Sequence, residues 1–352
     1  MGCCCKKRGE IYISTKIPLI SVDEKKITSA DFEKIKIIGR GSFGNVYLVR
    51  HISTNKYYAM KVLYKTVIKQ REEEDHTISE RLLLAKLNFP LIIKLHYCFQ
   101  DSQNLYFIMD LIQGGDLLYH LRLHRRFDDE KTRFYISEMI LVLEFLHKNN
   151  IMYRDIKPEN ILIDTTGHIK LVDFGLSKMF EKNEKMYTIC GTSFYLAPEL
   201  IKGKGYNCDA DWWSLGCLMY ELLSGKPPPF RMERNDINTL NFDKPVEMDN
   251  SFSDDAKDLI SKLLVVDPKQ RLGAGKDGVE KLKQHPYFKD INWEALLELK
   301  VKPPFIPEIN EPTDLKYIKN EISENTMPNN NDDGNIDYYV NFSFCEEGHT
   351  NN

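Results

Sequence analysis

From Asp31 to Leu63 the chain alternates apolar and polar residues in three short runs: Phe32 to Ile38, Asn45 to His51 and Lys56 to Leu63. Period-two alternation buries one face of a strand, so three strands are predicted, the first two joined by a glycine-rich turn. A charged segment from Arg71 to Leu87 carries Ile78, Leu82 and Leu83 at helical spacing, and two more strand-like runs follow at Leu95 to Gln100 and Asn104 to Leu111. After Gly114 and Gly115 the period lengthens. Tyr135, Ile136, Met139, Ile140, Leu143 and Leu146 recur three and four apart, the stripe of a long amphipathic helix. Short strands are predicted around Ile161 and Ile169, flanking a Thr165-Thr166-Gly167 turn, and the chain then reads as mostly helical to Phe288. The pattern is that of an α+β chain, with a β-rich small part and a larger helical part joined near residue 111, a place where a nucleotide can sit. Beyond Lys289 a tail runs through a polar stretch, Asn329 to Asn335, that reads as a flexible linker, to an apolar cluster from Tyr338 to Phe344.

Composition narrows the function classes. Of 352 residues, 42% are hydrophobic and 28% charged, enough apolar material for a sizeable core. A formal net charge of −4 argues against binding nucleic acid by bulk electrostatics, so no nucleic-acid partner is expected. No run approaches the roughly 18 apolar residues of a membrane-spanning helix. No apolar stretch follows Met1, so no secretory signal is read. Three of the eight cysteines lead the chain, and Cys98, Cys190, Cys208, Cys217 and Cys345 are scattered without a Cys-x-x-Cys pair. Neither a disulfide framework nor a zinc site is supported, and a reducing cytoplasm is expected.

The chemistry lies in five ordered motifs. Gly39-Arg40-Gly41-Ser42-Phe43-Gly44-Asn45-Val46 sits between two strand patterns. Glycines there let backbone N–H groups approach phosphates closely. A dinucleotide-binding fold uses similar glycines, but they open a helix, whereas a strand follows here. Ala59-Met60-Lys61 places a lysine among apolar residues on the next strand, and Glu80 is the candidate acid to orient it. Tyr153-Arg154-Asp155-Ile156-Lys157-Pro158-Glu159-Asn160 places an acid, a cation and an amide within one loop. Asp173-Phe174-Gly175 follows eighteen residues after Asp155, and Ala197-Pro198-Glu199 closes the segment.

Together these resemble the eukaryotic protein kinase family from Phe32 to Phe288, with Tyr for the usual His before Arg154-Asp155. Lys157-Pro158-Glu159-Asn160 is of the serine/threonine kind. His76-Thr77 with Glu80, Cys190-Gly191-Thr192, Asp211-Trp212-Trp213, Pro303 to Pro307 and the C-terminal Tyr339, Phe342, Ser343 and Phe344 resemble the AGC group. The resemblance implies a two-lobed fold over 32–288, an extension over 1–31 and an AGC-type tail over 289–352. It implies γ-phosphoryl transfer from ATP with Mg²⁺ to protein hydroxyls. Asp155 would be the base, Lys157 would neutralise the transferring phosphate, and Asn160 and Asp173 would hold metal. Ile38, Gly39, Arg40, Gly41, Ser42, Phe43, Gly44, Val46, Ala59, Lys61, Glu80, Met109, Asp110, Ile112, Asp116 and Leu162 would surround the nucleotide. Asp211 would anchor the catalytic loop, and Leu84, Leu95, Phe174 and Tyr153 would stack as a column linking the lobes.

The same resemblance implies regulation. Thr188 stands where the group carries an activating phosphate, with His76, Arg154 and Lys178 as the cations that hold it, and an upstream kinase as partner. Ser343 lies in a hydrophobic motif expected to dock beside the Glu80 helix. Substrates with Arg or Lys upstream of a serine are expected, read by Asp116, Glu159 and Glu221, and a monomer is expected. Ser193-Phe194 departs from the usual Pro-Glu, the stretch from Phe230 to Pro245 is short, and Tyr317-Ile318-Lys319 stands where a Phe-Asp normally meets the nucleotide. At the other end, Gly2 permits myristoylation although Lys6 replaces the usual Ser or Thr, and Cys3, Cys4 and Cys5 precede Lys6, Lys7 and Arg8. Two acylation signals suffice for stable anchoring, so attachment to the inner face of a membrane is expected. The rival readings are a pseudokinase scaffold and a lipid or small-molecule kinase. Every ATP, metal and base position is filled, against the first, and Ala197-Pro198-Glu199 with its loop threonine speaks against the second.

Overall fold

The strands predicted from alternation pair antiparallel, and the computed structural model describes residues 27–181, 185–188, 190–230, 242, 245–318, 339 and 342–345. β1 (Phe32–Gly41), β2 (Gly44–His51) and β3 (Tyr57–Tyr64) form a meander. Gly44 is required at its tightest point, since a Cβ there would lie 1.8 Å from the Val62 carbonyl oxygen. A short helix that the pattern did not predict, α1 (Lys65–Gln70), precedes the one expected from the charged segment Arg71 to Leu87, α2 (Glu74–Lys86). The break falls at Glu72, whose φ of 57° lies in the left-handed region that ends a helix. β4 (Leu95–Gln100) and β5 (Asn104–Met109) complete the core of the sheet in the order β1-β2-β3-β5-β4.

Past the joint, α3 (Leu117–His124) and α4 (Asp129–Lys148) open the helical lobe. Both start on acids that accept from backbone N–H groups, Asp116 from Tyr119 at 2.6 Å and Asp128 from Lys131 at 2.8 Å. The predicted stripe of α4 is buried throughout. β6 (Ile151–Met152), β7 (Ile161–Ile163), β8 (Ile169–Leu171) and β9 (Lys178–Met179) make two small antiparallel pairs over it, the hairpin β7–β8 and the non-sequential pair β6–β9. α5 (Pro198–Ile201), α6 (Asp209–Ser224), α7 (Asp254–Leu263), α8 (Gly278–Lys283) and α9 (Trp293–Leu297) complete the lobe. Glu199 accepts two hydrogen bonds from Arg271, at 2.8 and 2.9 Å, and both side chains are buried. Such a fork neutralises two charges that would be costly to bury alone.

The tail returns to both lobes. The Gln113 amide lies 2.9 to 3.1 Å from the carbonyls of Glu311, Pro312 and Asp314. Tyr317 packs against Tyr119 and His120 of the helical lobe and against Phe305 of the tail itself. Its last described piece, β10 (Phe344–Cys345), adds to the sheet edge at β4, with Phe344 opposite Cys98. The polar linker, most of the short Phe230 to Pro245 stretch and the N-terminal extension with Gly2, Cys3, Cys4 and Cys5 lie outside the described residues.

Candidate active site

The cleft between sheet and helices gathers the polar side chains that the motifs singled out. Lys61 sits mid-strand on β3, registered against Val46 and Phe107, so its ammonium projects beneath the β1–β2 turn. Its Nζ lies 2.7 Å from Glu80 Oε1 and 4.0 Å from Asp173 Oδ1. Burial pulls the ammonium's pKa down, but Glu80 and then Asp173 outweigh it and hold it above its usual value. Lys61 is therefore a fixed cation at neutral pH.

Opposite it, the loop after β6 is held from behind. Asp211, buried at the start of α6, accepts from the backbone N–H of Tyr153 at 3.1 Å and of Arg154 at 2.9 Å, and lies 2.8 Å from His147 Nε2. Arg154 and Asp173 have φ of 71° and 59°, left-handed values that non-glycine residues hold only where the surroundings enforce them. Asp155 Oδ2 accepts from Lys157 at 2.6 Å and from Asn160 at 2.7 Å, and its Oδ1 accepts from Thr192 at 3.2 Å. Gly191 makes that last contact attainable, with φ of 105° and a would-be Cβ only 2.7 Å from the Arg154 carbonyl. Tyr153 and Phe174 meet edge to face at 5.3 Å, and with Leu84 and Leu95 they are buried between the lobes.

The donor set suits a phosphate-bound divalent cation. The Asp173 carboxylate is half-exposed beside Lys61, and the Asn160 amide nitrogen donates to Asp155, which leaves its amide oxygen as the ligating atom. Among the described residues no three acids, histidines or cysteines cluster to cage a metal. Mg²⁺ keeps water and phosphate oxygens and needs only one or two protein ligands, so Asn160 and Asp173 fit it.

A family profile described as protein kinase domain matches residues 32–288. The chain is 43% identical over 302 residues to serine/threonine-protein kinase Sgk1 of Xenopus tropicalis, covering 85% of this chain and 72% of that one. It is 42% identical over 302 residues to the RAC serine/threonine-protein kinase of Drosophila melanogaster, covering 85% of this chain and 49% of that one. It is 46% identical over 297 residues to protein kinase 3 of Dictyostelium discoideum, where it spans 32% of the relative's length. The chain belongs to the eukaryotic serine/threonine protein kinases. Within them it is of the AGC group, as its tail and loop motifs imply.

In this kinase, Ala59 is buried and Ile38, Val46, Met109 and Leu162 are half-buried around the cleft, with Ile112 buried at the joint. Gly39 packs on Val46, while Arg40, Gly41 and Ser42 are exposed at the turn and Phe43 leans on Arg71. Asp110 turns its side chain away from the cleft, to His96 at 2.7 Å. A part in nucleotide contact therefore falls to its backbone. Asp116 spends one carboxylate oxygen as the cap of α3. Thr188 and Lys178 are exposed, and His76 pairs with Glu73 instead of facing Thr188. Arg154 reaches the threonine segment indirectly, donating to the Tyr206 hydroxyl at 3.3 Å, which donates to the Thr188 carbonyl at 2.8 Å. Thr192 was part of a motif, but its contact with Asp155 was not foreseen, and Arg81, which donates to the Phe342 and Ser343 carbonyls at 3.1 and 2.9 Å, escaped the motif reading altogether. Arg81 adjoins Glu80 in a charged segment, and nothing local distinguishes it from a surface residue.

Proposed function

We propose that Asp155 is the group that receives the substrate hydroxyl's proton and that Lys61, Asn160 and Asp173 hold Mg-ATP in line with it. The observation that carries this is the Lys61–Glu80 ion pair with Asp173 beside it, facing an Asp155 already fixed by three donors. Mg-ATP supplies the γ-phosphoryl group and a counter-charge for it. Asp155 Oδ1 orients the hydroxyl and takes its proton as that oxygen bonds to the γ-phosphorus and the bond from phosphorus to the bridging oxygen of the departing ADP breaks. Lys157, now on Asp155 Oδ2, stands where it can meet the transferred charge. Phosphorylation of Thr188 by an upstream kinase would recruit Arg154, Lys178 and a His76 released from Glu73, ordering the loop.

The substrates are proteins with basic residues upstream of serine. Glu159 is exposed on the turn before Asn160, and Glu221 lies behind it with its carboxylate accepting from the Tyr195 hydroxyl. Burial, and then Glu159, push the Glu221 carboxyl up to about 7. A raised carboxyl is anionic only above that value. For a peptide with an upstream arginine, kcat/KM should rise up to about tenfold from pH 6 to pH 8, relative to its glutamine counterpart. Glu221→Gln should flatten that ratio, and a flat ratio in the wild type would remove Glu221 from recognition. A positional peptide library tests the whole reading, since selection of acidic or proline-directed sequences contradicts it.

Attachment to a membrane through Gly2 and the cysteine cluster rests on the sequence alone. Gly2→Ala and a triple Cys3, Cys4, Cys5→Ser variant should each shift the protein from the membrane to the soluble fraction. Unchanged fractionation refutes the anchor.

A further inference from the structure

The segment that carries Thr188 is fastened to the loop before α6. Met186 and Tyr206 exchange both backbone hydrogen bonds, at 2.9 Å each, and both side chains are buried. Gly205, with φ of 72°, leaves room for the Tyr187 ring, which a Cβ there would meet at 2.9 Å. Tyr206 stands shortly before Asp211, which holds the backbone of Tyr153 and Arg154, so the threonine segment and the catalytic loop share one frame. The Tyr206 hydroxyl uses both of its capacities at once. It donates to the Thr188 carbonyl at 2.8 Å and accepts from Arg154 Nη1 at 3.3 Å, while Arg154 Nε donates to the Leu176 carbonyl. Burial raises the hydroxyl's pKa, so it stays a donor through the neutral range. What Tyr206 holds in the segment is backbone, at Met186 and Thr188, so the hold is independent of any group on the threonine side chain.

We infer that Tyr206 is a positioning residue whose hydroxyl links Arg154 to the Thr188 backbone and orders the loop before any phosphate is added, an inference that rests on the reading of Thr188 as the activating site. A phosphate on Thr188 pairs with the guanidinium directly, and a charge-assisted bond is the stronger of the two. It makes the hydroxyl's link redundant. Tyr206 therefore sets the activity of the enzyme that carries plain threonine and matters little once the phosphate is in place. The link acts through Arg154, the residue before Asp155, and so bears on where the proton acceptor stands. It makes no contact with Lys61, Glu80 or Asp173, so nucleotide affinity lies outside its reach.

The test uses the full chain made with either threonine or phosphothreonine at position 188, each as wild type and as Tyr206→Phe. Phenylalanine keeps the buried ring and removes the hydroxyl alone. With threonine, Tyr206→Phe should lower kcat roughly three- to tenfold, the scale of one or two lost hydrogen bonds, with KM for ATP within about twofold. Tryptic cleavage after Lys185 should quicken in the same protein, because the segment opens more often. With phosphothreonine, the kcat values of wild type and Tyr206→Phe should agree within about twofold. An equal fall in both forms overturns the inference, since the hydroxyl would then be needed whatever holds Arg154. Unchanged kcat in the threonine form of Tyr206→Phe, in an enzyme whose wild type the phosphate activates, removes this inference alone. A wild type equally active in both forms removes the Thr188 reading with it.

Discussion

Asp155→Asn should keep nucleotide binding within about threefold while kcat falls by roughly 10²- to 10⁴-fold, the usual contribution of a positioned acid–base group. The geometry separates the two effects. Asp155 is 6% exposed and bonds Lys157, Asn160 and Thr192, whereas the Lys61–Glu80 pair and Asp173 form a separate set across the cleft. An asparagine of the same shape loses the anionic oxygen that would take the hydroxyl's proton. It also turns a donor toward either the Lys157 ammonium or the Thr192 hydroxyl. Nucleotide affinity by fluorescence titration and kcat by steady-state peptide phosphorylation read the two effects apart. Near-normal turnover would show that the hydroxyl needs no base here and would sink the assignment.

How much of this was legible beforehand depends on the distance over which each contact is made. Strand alternation placed β1 to β5 closely, because a half-buried sheet imposes period two on neighbouring residues. The loop from Tyr153 to Asn160 was legible because its carboxylate, cation and amide lie within hydrogen-bonding reach along a few residues. The short helix α1 was not, since six residues, Lys65 to Gln70, are too few to show a helical period and no capping side chain marks its start. Contacts between remote segments were also invisible. Glu199 meets Arg271, and Gln113 meets the tail at Glu311, only through the folded chain. The Glu73–His76 pair went unread for a different reason. It is local, but the resemblance assigned His76 to a phosphate, and an unphosphorylated Thr188 leaves the imidazole to the nearest carboxylate. Tyr317 likewise takes the aromatic neighbours offered by α3 and Phe305.

Truncation before Asp337 should lower kcat/KM by about tenfold or more, and a peptide spanning Asp337 to Glu346 should restore it in trans. Tyr339, Phe342 and Phe344 are all buried in the small lobe, with Phe342 edge to face on Phe107 at 5.4 Å and Tyr339 5.4 Å from Lys65 Nζ. Each buried ring contributes about 1.5–3 kcal/mol. Fixing each tail residue costs about 1–2 kcal/mol in backbone entropy. The difference is small, and about 1.4 kcal/mol is a tenfold change in population. Docking is therefore a balance that one added interaction can tip. Arg81 transmits it, because its guanidinium holds the Phe342 and Ser343 carbonyls while the next residue, Glu80, holds Lys61. Burial lowers the Arg81 pKa, and among the described residues its side chain has only carbonyl partners and no carboxylate. A phosphate on the half-buried Ser343 would give that cation its missing counter-charge. The Ser343-phosphorylated peptide should thus rescue the truncated enzyme at lower concentration than the unphosphorylated one, and Arg81→Met should erase the difference. Full activity of the truncated enzyme, with no response to either peptide, would mean that the docked strand has no part in holding Glu80 on Lys61.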